Sequence, residues 1–403
     1  MSKLLFTNMQ IHGVPCAVSA LEEEDRIREI QFTSEHRPNI LGNIYVGQVQ
    51  RVIPNIHSAF IMIQNGLTCY YSLKEESTAI YAQPYRHSKI APGDQILVQV
   101  SKEAMKGKVP SVTTRLNFTG TYLVLTTDGS QISFSSKLIS YDKNWLRELL
   151  TPVMDGTFGI IVRTNARNGK PKQILKEFQE LKEKMDQVLQ YGRSRTCFSL
   201  LYEAEPFYQK VLRNTYTEGL TEIVTDVPSL YQKLKTLDQV QRISGSCQLR
   251  LYEDSLLPLY KLYQLESVIR QIQQEKIWLK SGGFLVIQQT EAFVSVDVNS
   301  GKYVNKKKAE ETYRKINLEA AAEIACQLRL RNLSGSILID FISMENPVYK
   351  DELFHVLQKY LKKDPIRATA IDFTKLKIVE ATRKKVRRPL IEDLRELQEE
   401  KSC

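Results

Sequence analysis

The sequence predicts a mixed α/β protein of several domains, and three observations carry that expectation. Its 403 residues exceed the roughly 100–200 that one domain usually holds. Short alternating segments fill the stretch after Ile44, whereas a strand, long helix, strand, helix grammar fills the stretch after Gly282. With 42% hydrophobic and 25% charged residues, 18 Gly and 14 Pro, the composition is that of a globular chain and excludes a disordered, collagenous or coiled-coil one.

From Ile44 to about Asn117 five alternating segments read as strands: Ile44 to Val49, Ser58 to Ile63, Thr68 to Leu73, Gln95 to Lys102 and Val109 to Leu116. Gly, Pro and Asn punctuate them, and no helix pattern intervenes. This predicts a small antiparallel barrel of the OB-fold kind. Strands follow at Tyr122 to Thr126 and Phe158 to Thr164, joined through an Asp128-Gly129 turn. Pro171 then opens a helix whose Ile174, Phe178, Leu181, Met185 and Val188 recur at steps of 3 and 4 up to Gly192, a packing stripe. Ser229 to Leu237 and Pro258 to Leu279 read as further helices. Phe284 to Gln289 and Ala292 to Val298 read as neighbouring strands, Lys307 to Leu330 as a helix, and Ser336 to Phe341 as a strand whose Ile337-Leu338-Ile339 suits burial on both faces.

The 56 Lys and Arg outnumber the 46 Asp and Glu by 10, with a pI near 9.1, a balance that favours a polyanionic partner. Arg383 to Arg388 carries five cations in six residues, a solvated patch or a grip on that polyanion. No window approaches 18 apolar residues and no signal-peptide core follows Lys3-Leu4-Leu5-Phe6, so stable membrane insertion and secretion are not expected. The six cysteines and five histidines show no zinc spacing and read as features of a reduced, cytoplasmic protein.

The sharpest local feature is Val296-Asp297-Val298-Asn299-Ser300-Gly301. Strand alternation sends the valines one way and Asp297 with Asn299 the other. Ile339-Asp340-Phe341 ends a second apolar strand with a single carboxylate. If the two strands share a sheet, Asp297 and Asp340 converge at strand ends, where such layers collect ligands. Two close carboxylates repel, so one is protonated or a cation sits between them. Hard oxygen donors without His or Cys favour Mg²⁺, with Mn²⁺ as a substitute, over Zn²⁺. Such a site suits phosphodiester hydrolysis, with Asn299 orienting phosphate or water. Each Asp alone reads first as a turn former or helix cap.

These residues resemble the ribonuclease E/G family of bacterial endoribonucleases. Asn43-Ile44-Tyr45-Val46-Gly47, Ile161-Val162-Arg163-Thr164, Ser281-Gly282-Gly283, Asp297-Val298-Asn299-Ser300 and Asn317-Leu318-Glu319-Ala320-Ala321 carry the resemblance. It is densest where Glu323-Ile324-Ala325-Cys326-Gln327-Leu328-Arg329-Leu330-Arg331 leads to Ile339-Asp340-Phe341. The resemblance implies that Asp297 and Asp340 bind magnesium and that Asn299 acts beside them. It implies that Phe60, Tyr70 and Lys108 contact single-stranded RNA, although the residues alone read as core packing for both aromatics. It implies that Arg163 and Thr164, lined by Gly120 and Val124, hold a 5′-terminal monophosphate, a task suited to a guanidinium fork; by residue type alone Arg163 reads as a surface ion pair.

The implied architecture is an RNase H-like domain over residues 1–37 and 206–280, an inserted OB-fold at 38–117, a 5′-sensor region at 118–205, and a DNase I-like catalytic domain at 281–403. Two departures stand out. An arginine expected near Ser133 is missing beside Phe134 and Ser135, which weakens 5′-end sensing. No C-P-x-C pair follows the basic tail, so any homo-oligomer forms without the family's zinc clip. The activity implied is Mg²⁺-dependent cleavage of single-stranded AU-rich RNA to 5′-phosphate and 3′-hydroxyl ends, in rRNA and tRNA processing and mRNA decay. A catalytically silent RNA-binding protein and a nuclease acting on DNA are the competing readings.

Overall fold

The computed structural model describes residues 2–34, 40–82, 89–102, 109–215, 219–237, 240, 247–301 and 309–400. They fall into two compact units, one formed by residues 1–37 and 216–403 and the other by 38–215.

The first unit opens on three long antiparallel strands, β1 (Ser2–Ile11), β2 (Val14–Glu23) and β3 (Arg26–Ser34). His12 and Gly13 turn the first hairpin with positive φ, the conformation a two-residue turn between twisted strands requires. Residue patterning assigns nothing here, because β2 is buried along most of its length on both faces and so shows no alternation.

The second unit contains β4 (Ile44–Ile53), β5 (Ser58–Met62), β6 (Thr68–Ser72), β7 (Gln95–Lys102) and β8 (Ser111–Thr113). They pair in the order β4-β5-β6-β8-β7, and β7 returns to β4, so the sheet closes into a barrel. One correction to the expected antiparallel barrel is that β8 pairs with β6 in parallel; β7 intervenes in the chain, and its crossing lets β8 run alongside β6. Ala59, Ile61, Cys69, Tyr71, Ile96, Val98 and Val100 fill the interior. A four-stranded sheet follows from β9 (Asn117–Thr119), β10 (Leu123–Thr126), β11 (Ile132–Phe134) and β12 (Gly159–Val162), with α1 (Ser140–Leu150) and α2 (Pro171–Gly192). The Ile174-to-Val188 stripe of α2 is buried in this core. β13 (Leu200–Tyr202) extends the barrel sheet at β4, and α3 (Phe207–Asn214) closes the unit.

On returning to the first unit, β14 (Leu220–Thr225), α4 (Pro228–Thr236) and β15 (Gln248–Leu251) complete a sheet of order β15-β14-β1-β2-β3. The helix predicted over Pro258 to Leu279 is instead α5 (Leu259–Leu262), α6 (Leu265–Ile272) and a strand, β16 (Lys276–Trp278). Gln264 adopts a left-handed conformation that interrupts the helix, and only Ile277 of β16 turns into the core. A second sheet is built from β16, β17 (Phe284–Gln289) and β18 (Phe293–Asn299). After α7 (Ala309–Leu330) come β19 (Gly335–Asp340), α8 (Pro347–Lys362), β20 (Ala368–Phe373), β21 (Val379–Arg383) and α9 (Leu390–Glu400). Its order is β16-β17-β18-β19-β21-β20, with β18 and β19 parallel.

Helices α7 and α8 pack on one face of this sheet, meeting Leu285, Ile287, Val294, Val296, Val298, Ile337 and Ile339. Strand β19 is therefore not buried on both faces as expected: Ile337 and Ile339 are buried, whereas Leu338 is half-buried and Ser336 and Asp340 are exposed. The basic tail is likewise not one solvated patch. Arg383 is buried in an ion pair with Asp364 and bonds Asn332 and the Leu333 carbonyl, and Arg388 pairs with Asp393 and Glu396. No helix among the described residues is long and apolar enough to cross a membrane.

Candidate functional site

The open face of the second sheet carries the carboxylates. Asp297 near the end of β18 and Asp340 at the end of β19 are register partners across a parallel pair, which places neighbouring backbones about 4.8 Å apart. Their alternation partners Val296, Val298 and Ile339 lie in the core, so both side chains project to the exposed face. Asn299, two residues on, donates its amide Nδ2 to Asp297 Oδ2 at 2.7 Å. Among the described residues the Asp340 carboxylate has no hydrogen bond or ion pair, and no three His, Cys, Asp or Glu side chains converge. Two solvent-facing carboxylates and an amide form a hard-oxygen donor set.

Helix α7 holds this arrangement from behind. Its buried Asn317 donates to the Ile342 carbonyl at 2.8 Å and accepts from the Ile342 N–H at 3.1 Å, fixing the chain two residues past Asp340. Glu319 accepts from the backbone N–H groups of Lys280 and Ser281 at 2.7 and 3.1 Å, and Glu310 accepts from those of Glu345 and Asn346. Gly283 and Gly301 permit the loop packing beside Asn299: a Cβ on Gly283 would lie 2.8 Å from the Asn299 carbonyl, and one on Gly301, at φ 65°, 2.4 Å from the Gly282 carbonyl. Residue patterning assigns no role to Asn317, Glu319 or Gly283; the Gly-Gly pair before a strand is a sequence signal for Gly283, whereas the burial of Asn317 is visible only in the fold.

A second cluster lies on the outside of the barrel. Ala59, Ile61, Cys69 and Tyr71 face inward, so the alternate residues Phe60 and Tyr70, half-buried, face outward. They are register partners with ring centroids 6.5 Å apart, edge to face. Ser58 Oγ donates to the Tyr70 hydroxyl at 2.9 Å and fixes that ring. The core-packing reading of these aromatics is thus replaced by a surface pair. Arg51 pairs with Phe60, and Ser111 pairs with both Tyr70 and Lys102, so two exposed cations flank the aromatics in one row. Sequence reasoning missed Arg51 and Lys102; the residue it named, Lys108, lies outside the described residues.

The third predicted cluster is tightly self-satisfied. Arg163 donates from Nη1 to the carbonyls of Gly120 (2.5 Å) and Arg213 (3.3 Å) and from Nη2 to Asn214 (2.9 Å). Burial and the neighbouring Arg213 charge pull its pKa down to about 10, so it stays cationic at neutral pH. The N–H groups of Thr121, Tyr122 and Leu123 form an anion-binding turn, and the Glu177 carboxylate occupies it at 2.9, 2.7 and 2.9 Å. A Cβ on Gly120 would lie 2.4 Å from Glu177 Oε1, which explains the glycine. Thr164 bonds the Ser135 hydroxyl at 3.0 Å, and Val124 pairs with exposed Ile161 on the adjacent strand. Gly120 and Arg163 therefore meet, whereas Thr164 and Val124 contact other partners.

Comparison with known proteins places these features in context. A family profile described as the ribonuclease E/G family matches residues 117–386. A ribonuclease E of Nostoc sp. is 32% identical over 381 residues, covering 91% of this chain and 54% of that protein. A ribonuclease G of Haemophilus influenzae is 30% identical over 382 residues, covering 92% and 78%, and that of Escherichia coli is 29% identical over 372 residues, covering 90% and 76%. The chain thus spans about half the length of the Nostoc relative and about three quarters of the other two.

Proposed function

The chain belongs to the ribonuclease E/G family, and from that premise we propose that it is a Mg²⁺-dependent endoribonuclease. Its substrate is single-stranded, AU-rich RNA, its products carry 5′-phosphate and 3′-hydroxyl ends, and it works in cytoplasmic rRNA and tRNA processing and mRNA decay. The observation that carries this reading is the direct register of Asp297 with Asp340 on an open sheet face, with Asn299 bonded to the first.

The donor set fits magnesium: two hard carboxylates offered to solvent, with no His or Cys adjacent to either in the sequence. A bound Mg²⁺ supplies charge neutralisation at the scissile phosphate and lowers the pKa of water. Asp297 and Asp340 would hold the ion, and Asn299 fixes the Asp297 carboxylate through its 2.7 Å bond. Asn317 and Glu319 keep the strand end and the 280–281 loop still, so the carboxylates need little reorganisation. In the second unit we read the closed barrel as an OB-fold, because its second and third strands, the face such barrels use for oligonucleotides, present Phe60 and Tyr70 with Arg51 and Lys102 beside them. Aromatic stacking with flanking cations suits a single strand. Residues 1–37 with 206–280 and residues 281–403 are read as RNase H-like and DNase I-like domains.

The test is one AU-rich oligoribonucleotide, bearing 5′-monophosphate or 5′-hydroxyl, incubated with Mg²⁺ or EDTA beside its DNA counterpart. Internal cuts in RNA alone, lost in EDTA and in Asp297→Asn, are expected. Binding without cleavage under every condition would instead make the chain a silent RNA-binding protein, and equal cutting of DNA would overturn the substrate assignment.

A further inference from the structure

The open sheet face bears a second feature that the carboxylate chemistry does not use. Lys276 and Trp278 of β16 flank buried Ile277 and project to the same side as Asp297. The registers align two rows across the sheet: Lys276, Val286, Asp297 and Asp340 in one, and Trp278, Phe284 and Asn299 in the next. Trp278 is 65% exposed. Its ring meets Phe284 edge to face, with centroids 5.2 Å apart, and Lys276 Nζ lies 4.2 Å from the Trp278 centroid and 3.8 Å from that of Phe284.

An exposed indole alone needs no explanation. This one is held in place by a second ring, accompanied by a cation and set two strands from Asn299, about 10 Å across the sheet. Aromatic faces with an adjacent cation are the elements of a single-strand platform, the rings stacking bases and the ammonium drawing in phosphate. We propose that Trp278, braced by Phe284 and Lys276, stacks a base of single-stranded RNA next to the scissile phosphate and so positions the strand over Asp297 and Asp340. The assignment rests on the endoribonuclease reading and deepens it: the strand is gripped on the catalytic sheet itself. The occupant is RNA because the face is continuous with the carboxylate pair and carries a cation where a phosphate would pass.

The test measures equilibrium binding of a fluorescently labelled single-stranded oligoribonucleotide in EDTA, where no cleavage occurs, for the full chain and for Trp278→Ala and Trp278→Phe. Alanine is expected to weaken binding roughly tenfold, a typical loss for one stacked base, and phenylalanine to restore most of it. On a series of oligonucleotides each lacking one base, the alanine penalty should vanish at a single abasic position. In Mg²⁺ the loss should appear in KM, with kcat changed far less. Unaltered binding by Trp278→Ala overturns the proposal, as does an equal penalty on every abasic strand. A change from dimer to monomer in Trp278→Ala with RNA affinity intact would assign the face to a second copy and also overturn it. If wild type fails to cleave but Trp278→Ala still loses affinity at one base, the nuclease reading falls while the platform stands; cleavage with no effect of Trp278→Ala gives the reverse.

Discussion

The Asp297–Asp340 face and the Arg163 pocket both gather functional groups at strand ends, but they differ in what is left to offer a ligand. On the first, the carboxylates point to an open face and, among the described residues, only Asp297 is bonded, by Asn299. In the second, both terminal nitrogens of Arg163 donate to protein acceptors, and the adjacent backbone N–H groups are filled by Glu177. Family membership alone would treat the two as equal parts of one machine. Under the proposed function, the difference argues for an intact cutting site and a weak end sensor.

The largest effect is expected at the carboxylates. Asp297→Asn or Asp340→Asn should lower the single-turnover rate at least about 10³-fold while leaving binding in EDTA unchanged; full activity in either would remove the basis of the comparison. Asn299→Ala should cost about 10- to 100-fold, the usual loss when a group that orients a metal ligand is removed. Raising Mg²⁺ should recover part of that rate, and no recovery would place Asn299 on the substrate instead.

Smaller effects test the surfaces proposed to face RNA. Phe60→Ala and Tyr70→Ala should each raise Kd about tenfold with kcat at saturation little changed. The rate ratio of 5′-monophosphate to 5′-hydroxyl substrates should stay below about tenfold, because a new charge-assisted hydrogen bond worth about 1.5–3 kcal/mol finds Arg163 already engaged. A ratio well above that would mean the pocket opens to admit a phosphate, and the contrast between the two clusters would collapse.

Much of this was legible in the residues. The barrel strands, the amphipathic stripe of α2 and the alternation that sends Asp297 and Asn299 to one side of β18 are local patterns, and local patterns survive folding. What patterning could not reach was non-local. Strand β2 hides because a strand buried on both faces loses its alternation. Lys276 and Trp278 read as a helix end until β17 supplies a pairing edge. The parallel β6–β8 contact depends on closure of the whole barrel. At the Arg163 cluster the residues named were real neighbours in part, but Glu177 lies 57 positions after Gly120 (177 − 120), and only the fold shows that its carboxylate fills the turn.

The smallest effect on cleavage, and the one that separates scaffold from chemistry, is expected at the far end of α7. Glu323 forms two hydrogen bonds with Arg26 of β3, at 2.9 and 3.1 Å, and accepts a third from Gln327. Burial alone would raise its pKa, but these bonds and the Arg26 charge outweigh burial and hold it below the usual glutamate value. A carboxyl whose folded pKa is depressed stabilises the fold fully above its unfolded value, near 4.3 for glutamate. That contribution is lost as pH falls through the folded value. Arg26 remains half exposed, so the contribution is about 1 kcal/mol, or a melting shift of about 2–4 °C. Glu323→Gln should show that deficit at pH 7, and the gap from wild type should close at pH values below the glutamate range. Cleavage at pH 7 should be retained, because Glu323 contacts β3 and lies outside the Asn317 and Glu319 bonds that hold the carboxylate strands. A gap independent of pH would assign the stabilisation to packing, whereas a rate loss comparable to that of Asn299→Ala would mean that the clasp and the cutting site are mechanically one.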